Sequence, residues 1–212
     1  MKISSGITKF LILIGLSFFI SFSASAKGKL TLYCSVGADV CEMIVQAFEK
    51  ETGINTAMTR KSSGETLAQI KAESSNPKGD VWFGGTGDPH LTMAQEGLSY
   101  QYKSIHFDDL REAAQQQAVN GDYRTVGIYI GALGYGYNAS LMSDKNLPLP
   151  TSWMDLLDPV YKGHIQMANP NSSGTAYTTL ATILQIFGEE EGWDYMKKLH
   201  LNMNQYTKSG SA

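Results

Sequence analysis

A chain of 212 residues with 17 Lys and Arg against 20 Asp and Glu has a formal net charge of −3. This slightly acidic balance argues against a nucleic-acid-binding protein, which needs a basic face to displace counterions from the phosphate backbone. A charged content of 17% together with 10% aromatic residues also argues against an intrinsically disordered chain.

The first 26 residues are predicted to be a cleaved export signal. Lys2 and Lys9 precede or border an apolar run, Phe10–Phe22, and Ala24-Ser25-Ala26 fits a small-residue cleavage site. The run is too short for a membrane-spanning helix, and no later apolar run is long enough for one. Cleavage after Ala26 would leave 15 basic against 20 acidic residues, so the mature chain would be more acidic than the precursor.

The two cysteines, Cys34 and Cys41, are seven positions apart. In an exported protein an even number of cysteines favours a disulfide, and a buried pair of free thiols is the alternative. A zinc site would need more ligands nearby, and the four histidines are scattered along the sequence. We therefore expect a disulfide between Cys34 and Cys41 and no metal site.

Strands alternate with helices in the first part of the mature chain, and Gly53 and Ser62 with Glu65 supply a helix end and a capping box. The predicted strands are Lys29–Cys34, Ile54–Thr59 and Asp80–Phe83, and the predicted helices are Val40–Glu51, Ser62 to about Glu73, His90–Glu96 and Leu110–Val119. This alternation predicts right-handed crossovers and a mainly parallel sheet, the α/β class.

The pattern changes at Tyr123, where a long strand rich in aromatic residues and glycine is predicted to reach Asn138 and to pass between lobes. The predicted elements after it are a short helix Trp153–Leu157, a strand His164–Ala168, helices Ala176–Phe187 and Glu189–His200, and a strand Met203–Tyr206. The sequence then stops in a Ser-Gly turn of the kind that begins a helix. We therefore expect a fragment or a truncated product.

Three turns of similar composition carry the strongest functional signal: Lys61–Gly64, Asn171–Thr175 and Lys208–Ser211. The first two lie between a strand and a helix, where free N–H groups and the helix dipole attract an anion, and glycine lets a ligand approach closely. Ordinary helix capping is the alternative. The candidate anion-binding residues are Ser63, Gly64, Ser173, Gly174, Thr175, Ser209 and Gly210.

The loop Gly84–Asp88 follows the third strand, but it is not a dinucleotide loop, because the third glycine of G-x-G-x-x-G is replaced by His90. No P-loop occurs either, and we predict no cofactor. The loop offers backbone access to a small ligand, which makes Thr86 and Asp88 further candidate contacts; a structural tight turn is the alternative.

Four tyrosines in one stretch could form a ligand wall or bind a metal, and core packing is the alternative. They are Tyr123, Tyr129, Tyr135 and Tyr137. No catalytic motif is present: the sequence lacks a G-x-S-x-G elbow, an H-E-x-x-H pair and an EF-hand loop. We therefore do not predict an enzyme.

Seven segments in a fixed order carry a family resemblance. They are Leu30–Ser35, Val45–Gly53, Lys61–Lys71, Gly79–Gly84, Gly134–Asn138, Pro150–Gly163 and His164–Ala176. Together they resemble an ABC-transporter periplasmic solute-binding protein of the ferric-iron-binding type. The resemblance implies a type II periplasmic-binding-protein fold, in which two lobes of mainly parallel sheet and flanking helices surround a cleft. Residues 27–128 would form the first lobe and residues 129–212 an incomplete second lobe.

The ligand of that family does not transfer directly. Ferric-binding members place a His or Tyr after the first strand and a Tyr pair further on, whereas Ser35–Asp39 contains neither and no two tyrosines are adjacent. The Ser-Gly turns resemble instead those of relatives that bind hexose phosphates or phosphonates. The resemblance therefore implies a monomeric periplasmic protein that binds an organic phosphate or phosphonate and delivers it to an ABC permease and its ATPase. Ferric iron is the alternative, and a secreted α/β enzyme acting on a phosphorylated small molecule is a third.

Overall fold

The structure is a computed structural model that describes residues 28–210. The predicted signal peptide with its cleavage site, and Ser211 of the third turn, lie outside the described residues. The described part is an α/β arrangement of two parallel sheets with helices between their strands. Within it, no helix combines the length and the apolar character needed to cross a bilayer.

The first sheet has three parallel strands, and the first strand in sequence lies in the middle. The strands are β1 (Lys29–Cys34), β2 (Asn55–Arg60) and β3 (Val81–Phe83), and the helices that connect them are α1 (Ala38–Thr52) and α2 (Ser63–Ala72). Leu32 and Cys34 of β1 and Cys41 of α1 form the buried core between this strand and helix. Cys34 and Cys41 are joined by a disulfide, as predicted.

The helix ends of this sheet follow the local signals in the sequence. Gly53, in the left-handed conformation with φ of 70°, ends α1 and donates its N–H to the Glu49 carbonyl. Ser62 begins α2 in a capping box with Glu65. The hydrogen bond from the Ser62 hydroxyl lowers the pKa of the Glu65 carboxyl, so this side chain stays ionised at the positive end of the helix.

The second sheet pairs two parallel strands, β4 and β5, connected through two consecutive helices. Its elements are β4 (Ile165–Ala168), α6 (Gly174–Phe187), α7 (Glu189–His200) and β5 (Met203–Thr207). Leu156, Ile183, Tyr195 and Leu199 form its buried core. The Tyr195 hydroxyl donates to the Trp153 carbonyl over 2.6 Å, and burial raises its pKa to about 12.

The part of the chain that follows β3 and precedes β4 in the sequence forms shorter elements. These are α3 (Gly87–Gln95), α4 (Glu112–Asn120), α5 (Ala139–Asp144) and the 3₁₀ segments Phe107–Asp109, Met154–Leu157 and Pro159–Tyr161. Helix α3 begins three residues earlier than the predicted His90, because Pro89 in the first turn occupies a position where the missing N–H has no intrahelical partner.

The predicted strand Tyr123–Asn138 is wrong, because residues 125–138 belong to no strand in the structure. Tyr123 has a positive φ of 56°, which starts the segment in a turn, and no described strand pairs with the residues that follow. The segment is anchored instead by individual contacts, such as the hydrogen bond from Gly127 N–H to the Ala114 carbonyl of α4. A strand needs a neighbouring ladder, which local sequence cannot supply.

Candidate functional site

The three Ser-Gly turns lie against one another, although they are far apart in the sequence. Gly64 N–H donates to the Ser172 carbonyl over 3.0 Å. The Ser62 hydroxyl lies 2.7 Å from the same carbonyl and 3.3 Å from the Lys208 carbonyl. The Ser172 hydroxyl donates to the Lys208 carbonyl over 2.8 Å. The carboxyl ends of β2, β4 and β5 therefore meet at one place, where ligands of α/β proteins gather.

Three predicted serines are buried at this meeting point. Ser63, Ser173 and Ser209 expose 4%, 3% and 8% of their surface. Ser63 Oγ accepts a hydrogen bond from Thr86 N–H over 3.3 Å, and Ser173 Oγ accepts one from Ala176 N–H over 3.4 Å at the start of α6. Capping therefore accounts for part of the chemistry of Ser173, whereas Ser63 reaches across to the loop after β3.

The backbone of Gly174 lies directly against the hydroxyls of Thr86 and Ser63. A Cβ atom at Gly174 would lie 2.2 Å from Thr86 Oγ1 and 2.8 Å from Ser63 Oγ, so only glycine fits without a shift of these hydroxyls. Thr86 Oγ1 is buried and has no hydrogen-bond partner among residues 28–210. A buried hydroxyl without a partner costs about 1–3 kcal/mol, and a bound polar group would relieve that cost.

The loop that carries Thr86 is held by its two preceding glycines and by Tyr129. Gly84 and Gly85 have positive φ of 75° and 94°, and a Cβ at Gly85 would lie 2.3 Å from Ser63 Oγ. The Tyr129 hydroxyl donates to the Gly85 carbonyl over 2.7 Å and accepts from Gly85 N–H over 2.9 Å. Tyr129 therefore holds the loop through both backbone groups of Gly85.

A half-buried imidazole also supports this loop. His90 Nε2 lies 2.8 Å from the Gly84 carbonyl, and the His90 ring stacks on Trp82 with a centroid distance of 3.8 Å. Burial lowers the pKa of His90, which favours the neutral ring. The Gly84 carbonyl can only accept a hydrogen bond, so the proton of the neutral ring is on Nε2. The Trp82 indole N–H donates to Ser35 Oγ over 2.8 Å, so the support extends to the turn after β1.

Arg60 is a residue of this site that the sequence reasoning missed. It is the last residue of β2 and is half-buried. Its Nε donates to the Val36 carbonyl over 3.0 Å, and its Nη2 donates to Ser209 Oγ over 3.1 Å. The sequence signal was its position directly before the Lys61–Gly64 turn, where a strand delivers its last side chain to the edge of the sheet.

The remaining predicted residues occupy different positions around the cluster. Gly64 N–H is engaged by Ser172, and a Cβ at Gly64 would lie 2.5 Å from the Asn171 carbonyl oxygen, so Gly64 serves the contact between turns. Thr175 is exposed in the first turn of α6, and a Cβ at Gly210 would lie 3.6 Å from its Cβ. Asp88 is exposed in the first turn of α3.

The four tyrosines of the predicted interlobe strand are dispersed. Tyr123 packs edge-on against Phe107 with a centroid distance of 5.6 Å, and Tyr135 packs against Trp153 at 5.2 Å. Tyr137 is 51% exposed. Among residues 28–210, no three His, Cys, Asp or Glu side chains come close enough together to hold a metal ion.

A groove of about 1490 Å³ runs beside the hydroxyl cluster and shares the Gly84–Thr86 loop with it. None of Ser63, Ser173 and Ser209 lines this groove. Other residues along it are Trp82, His90, Arg111, Gln117, Arg124 and Tyr129. The groove and the cluster are therefore neighbouring but separate features.

Residues 83–212 match the family model of bacterial extracellular solute-binding proteins. The chain belongs to this family. Among curated relatives, a Haemophilus influenzae protein of uncharacterized function is 43% identical over 210 residues, which cover 99% of this chain and 60% of the relative. A Salmonella typhimurium protein whose name proposes 2-aminoethylphosphonate binding is 27% identical over 157 residues, or 74% of this chain and 43% of the relative. An Fe(3+)-binding periplasmic protein of Serratia marcescens is 25% identical over 189 residues, or 87% and 52%.

Solved structures of two periplasmic binding proteins have the same fold. The periplasmic binding protein AfuA from Actinobacillus pleuropneumoniae, solved with exogenous fructose 6-phosphate bound, has a TM-score of 0.83 and 42% identity over 87% of this chain and 58% of its own. The periplasmic binding protein P5PA has a TM-score of 0.82 and 39% identity over 86% and 58%. The predicted type II periplasmic-binding-protein fold is therefore confirmed, and the chain spans about three-fifths of these relatives.

Proposed function

We propose that this protein binds a small anionic solute, an organic phosphate or phosphonate, where the three Ser-Gly turns meet. The observation that carries the proposal is the buried hydroxyl cluster of Ser63, Ser173 and Ser209 beside Gly174, together with the unpartnered Thr86 Oγ1. Hydroxyl and backbone donors around a glycine at a helix start suit a phosphate-like oxyanion, which accepts several hydrogen bonds at once.

The comparisons support the same ligand class. AfuA was solved with fructose 6-phosphate bound, and the Salmonella relative is named for a phosphonate. A phosphate monoester and a phosphonate share a tetrahedral phosphorus group with three terminal oxygens, and this shared group is what the turns would hold. The carbon part of the solute would extend towards the Gly84–Asp88 loop, where Asp88 and Tyr129 could contact it.

The proposed role is transport, in which the solute is captured and released unchanged. Residues 27–128 and 129–212 would belong to two lobes that close on the solute by a hinge motion. The protein would act in the periplasm as a monomer and deliver the solute to a membrane permease and ATPase of an ABC importer. The Arg60–Ser209 and Gly64–Ser172 hydrogen bonds join the two proposed lobes and would belong to the closed form.

Calorimetric titration of the purified protein tests this proposal. We expect heat of binding and a raised melting temperature with fructose 6-phosphate or 2-aminoethylphosphonate, and neither effect with unphosphorylated fructose, because the turns would face no charge. Mass spectrometry should recover the solute unchanged, whereas conversion to a product would indicate an enzyme. Equal binding of fructose and fructose 6-phosphate would contradict an anion site.

Ferric-ion binding is the second candidate, because the Serratia marcescens relative carries that function in its name. It predicts a visible charge-transfer band from tyrosine on addition of ferric citrate, together with its loss in a chelator. A band that disappears in Tyr135→Phe, combined with no response to any phosphate ester, would favour iron and overturn the phosphate proposal.

A further inference from the structure

The hydroxyl cluster has a positively charged side chain at its edge. Arg60 reaches from the end of β2 to the turn after β5, where Nη2 donates to Ser209 Oγ over 3.1 Å. On its other side Nε donates to the Val36 carbonyl over 3.0 Å. These two bonds fix the plane of the guanidinium at the Ser209–Gly210 turn, because the guanidinium is rigid and its N–H groups point in set directions.

Two other basic residues, Lys61 and Lys208, occupy the same turns. The Lys61 ammonium donates to Gln69 Oε1 of α2 over 2.5 Å. Lys208 and Lys61 both act electrostatically on Glu65, whose pKa they help to lower. Of these three cations, Arg60 is the one with a hydrogen bond to a serine of the buried cluster.

We propose that Arg60 determines which anions the site accepts and selects dianionic phosphorus groups over monoanionic groups of the same shape. This inference rests on the proposed function and deepens it. Hydroxyl and N–H donors stabilise a monoanion and a dianion in similar geometry, whereas a fixed full charge gains more from the second negative charge. The preference would therefore come from Arg60, while Ser63, Ser173 and Gly174 provide the shape.

A purely structural role for Arg60 makes a different prediction. The Arg60–Ser209 bond connects residues 149 positions apart and could act only as a latch between the two proposed lobes. Loss of a latch lowers the affinity for every solute by the same factor, because it destabilises the closed form irrespective of ligand charge. Loss of a group that distinguishes ligands by their charge changes the ratio of their affinities.

The experiment compares glucose 6-phosphate with glucose 6-sulfate, which have similar shape and differ in charge at neutral pH. The wild-type protein should bind the phosphate more tightly. Arg60→Gln should weaken phosphate binding by roughly 10- to 150-fold, the range for a hydrogen bond with a charged group, and should weaken sulfate binding less. The phosphate-to-sulfate affinity ratio should fall towards one.

Two further variants separate charge from packing. Arg60→Lys keeps the charge and should retain part of the phosphate preference. Ser209→Ala removes the latch bond while Arg60 remains, so both affinities should fall and their ratio should persist. If circular dichroism shows that Arg60→Gln is unfolded, the phosphate-to-sulfate affinity ratios of Arg60→Lys and Ser209→Ala test the proposal instead.

Equal loss for both esters in Arg60→Gln, or a ratio that collapses equally in Ser209→Ala, would overturn the inference and leave the phosphate site intact. A wild-type protein that binds neither ester, nor 2-aminoethylphosphonate, would overturn the proposed function itself. The two failures are therefore distinguishable in one set of titrations.

Discussion

Replacement of Gly64 by alanine should separate two of the turns that build the candidate site. The added Cβ would lie 2.5 Å from the Asn171 carbonyl oxygen, 2.9 Å from the Ser172 carbonyl oxygen and 3.0 Å from its carbonyl carbon. All three are backbone atoms, so no side-chain rotation can relieve the clash. The Gly64–Ser172 hydrogen bond and the Ser62 contact with the same carbonyl are the interactions at risk.

The expected loss follows from the Gly64–Ser172 hydrogen bond, because the single proton of the Ser62 hydroxyl is shared with Glu65. That bond contributes about 0.5–1.5 kcal/mol to the contact between the turns. Because 1.4 kcal/mol corresponds to a tenfold change, solute affinity should fall by roughly 2- to 13-fold. Within α2 itself, alanine is favoured over glycine by about 0.5–1 kcal/mol, so the melting temperature of the free protein should change little.

Titration calorimetry with fructose 6-phosphate and a thermal melt without ligand measure both effects. Gly134→Ala is the matched control, because a Cβ at Gly134 would meet nothing within 4 Å. We expect the control to bind as tightly as the wild type. Wild-type affinity in Gly64→Ala would show that the Gly64–Ser172 contact is absent from the ligand-bound form.

Three further predictions concern the disulfide, the loop and pH. Cys41→Ser should lower the free energy of unfolding by about 2–3 kcal/mol in urea, and reductant should remove the difference from wild type; equal stability of both proteins without reductant would refute this. Tyr129→Phe should weaken fructose 6-phosphate binding by roughly 5- to 10-fold, because the Gly85 N–H and carbonyl lose their partner, whereas Tyr137→Phe should not. Burial lowers the pKa of His90, so as pH falls below about 6.5 the unfolded chain binds a proton at His90 before the folded protein does. The free energy of unfolding should therefore fall as the pH drops from about 6.5 to the lower pKa of His90 in the folded state. His90→Gln should flatten that part of a pH series of urea melts; an unchanged slope would assign it to other groups.

Local signals in the sequence were sufficient for most helices and strands. Ser62 and Glu65 predicted the start of α2, and Gly53 predicted the end of α1, because a cap is formed by residues within a few positions of each other. The disulfide was predictable from the even number of cysteines in a chain with an export signal, and the structure joins Cys34 to Cys41 at the end of β1. The α/β class followed from the order of these elements.

Features that depend on distant partners were not predictable. The aromatic content of residues 123–138 is typical of a strand. Strand formation depends on a neighbouring strand, however, and no described strand pairs with this segment. Arg60 shows the same limit at the site. Its position directly before the Lys61–Gly64 turn was visible in the sequence. Its contact with Ser209, 149 positions away, exists only in the folded structure.

The distribution of donors between the two proposed lobes has a consequence for release. On the proposed function, Ser63, Thr86 and Arg60 belong to one side of the cleft, and Ser173, Gly174 and Ser209 belong to the other. Opening of the cleft would divide the donors into two partial sites, each with fewer hydrogen bonds to the anion. Because each bond to a charged group contributes about 1.5–3 kcal/mol, the loss of even two would lower affinity by roughly 10²- to 10⁴-fold. A site built from two halves can therefore hold an anion tightly when closed and release it unchanged when a permease holds it open.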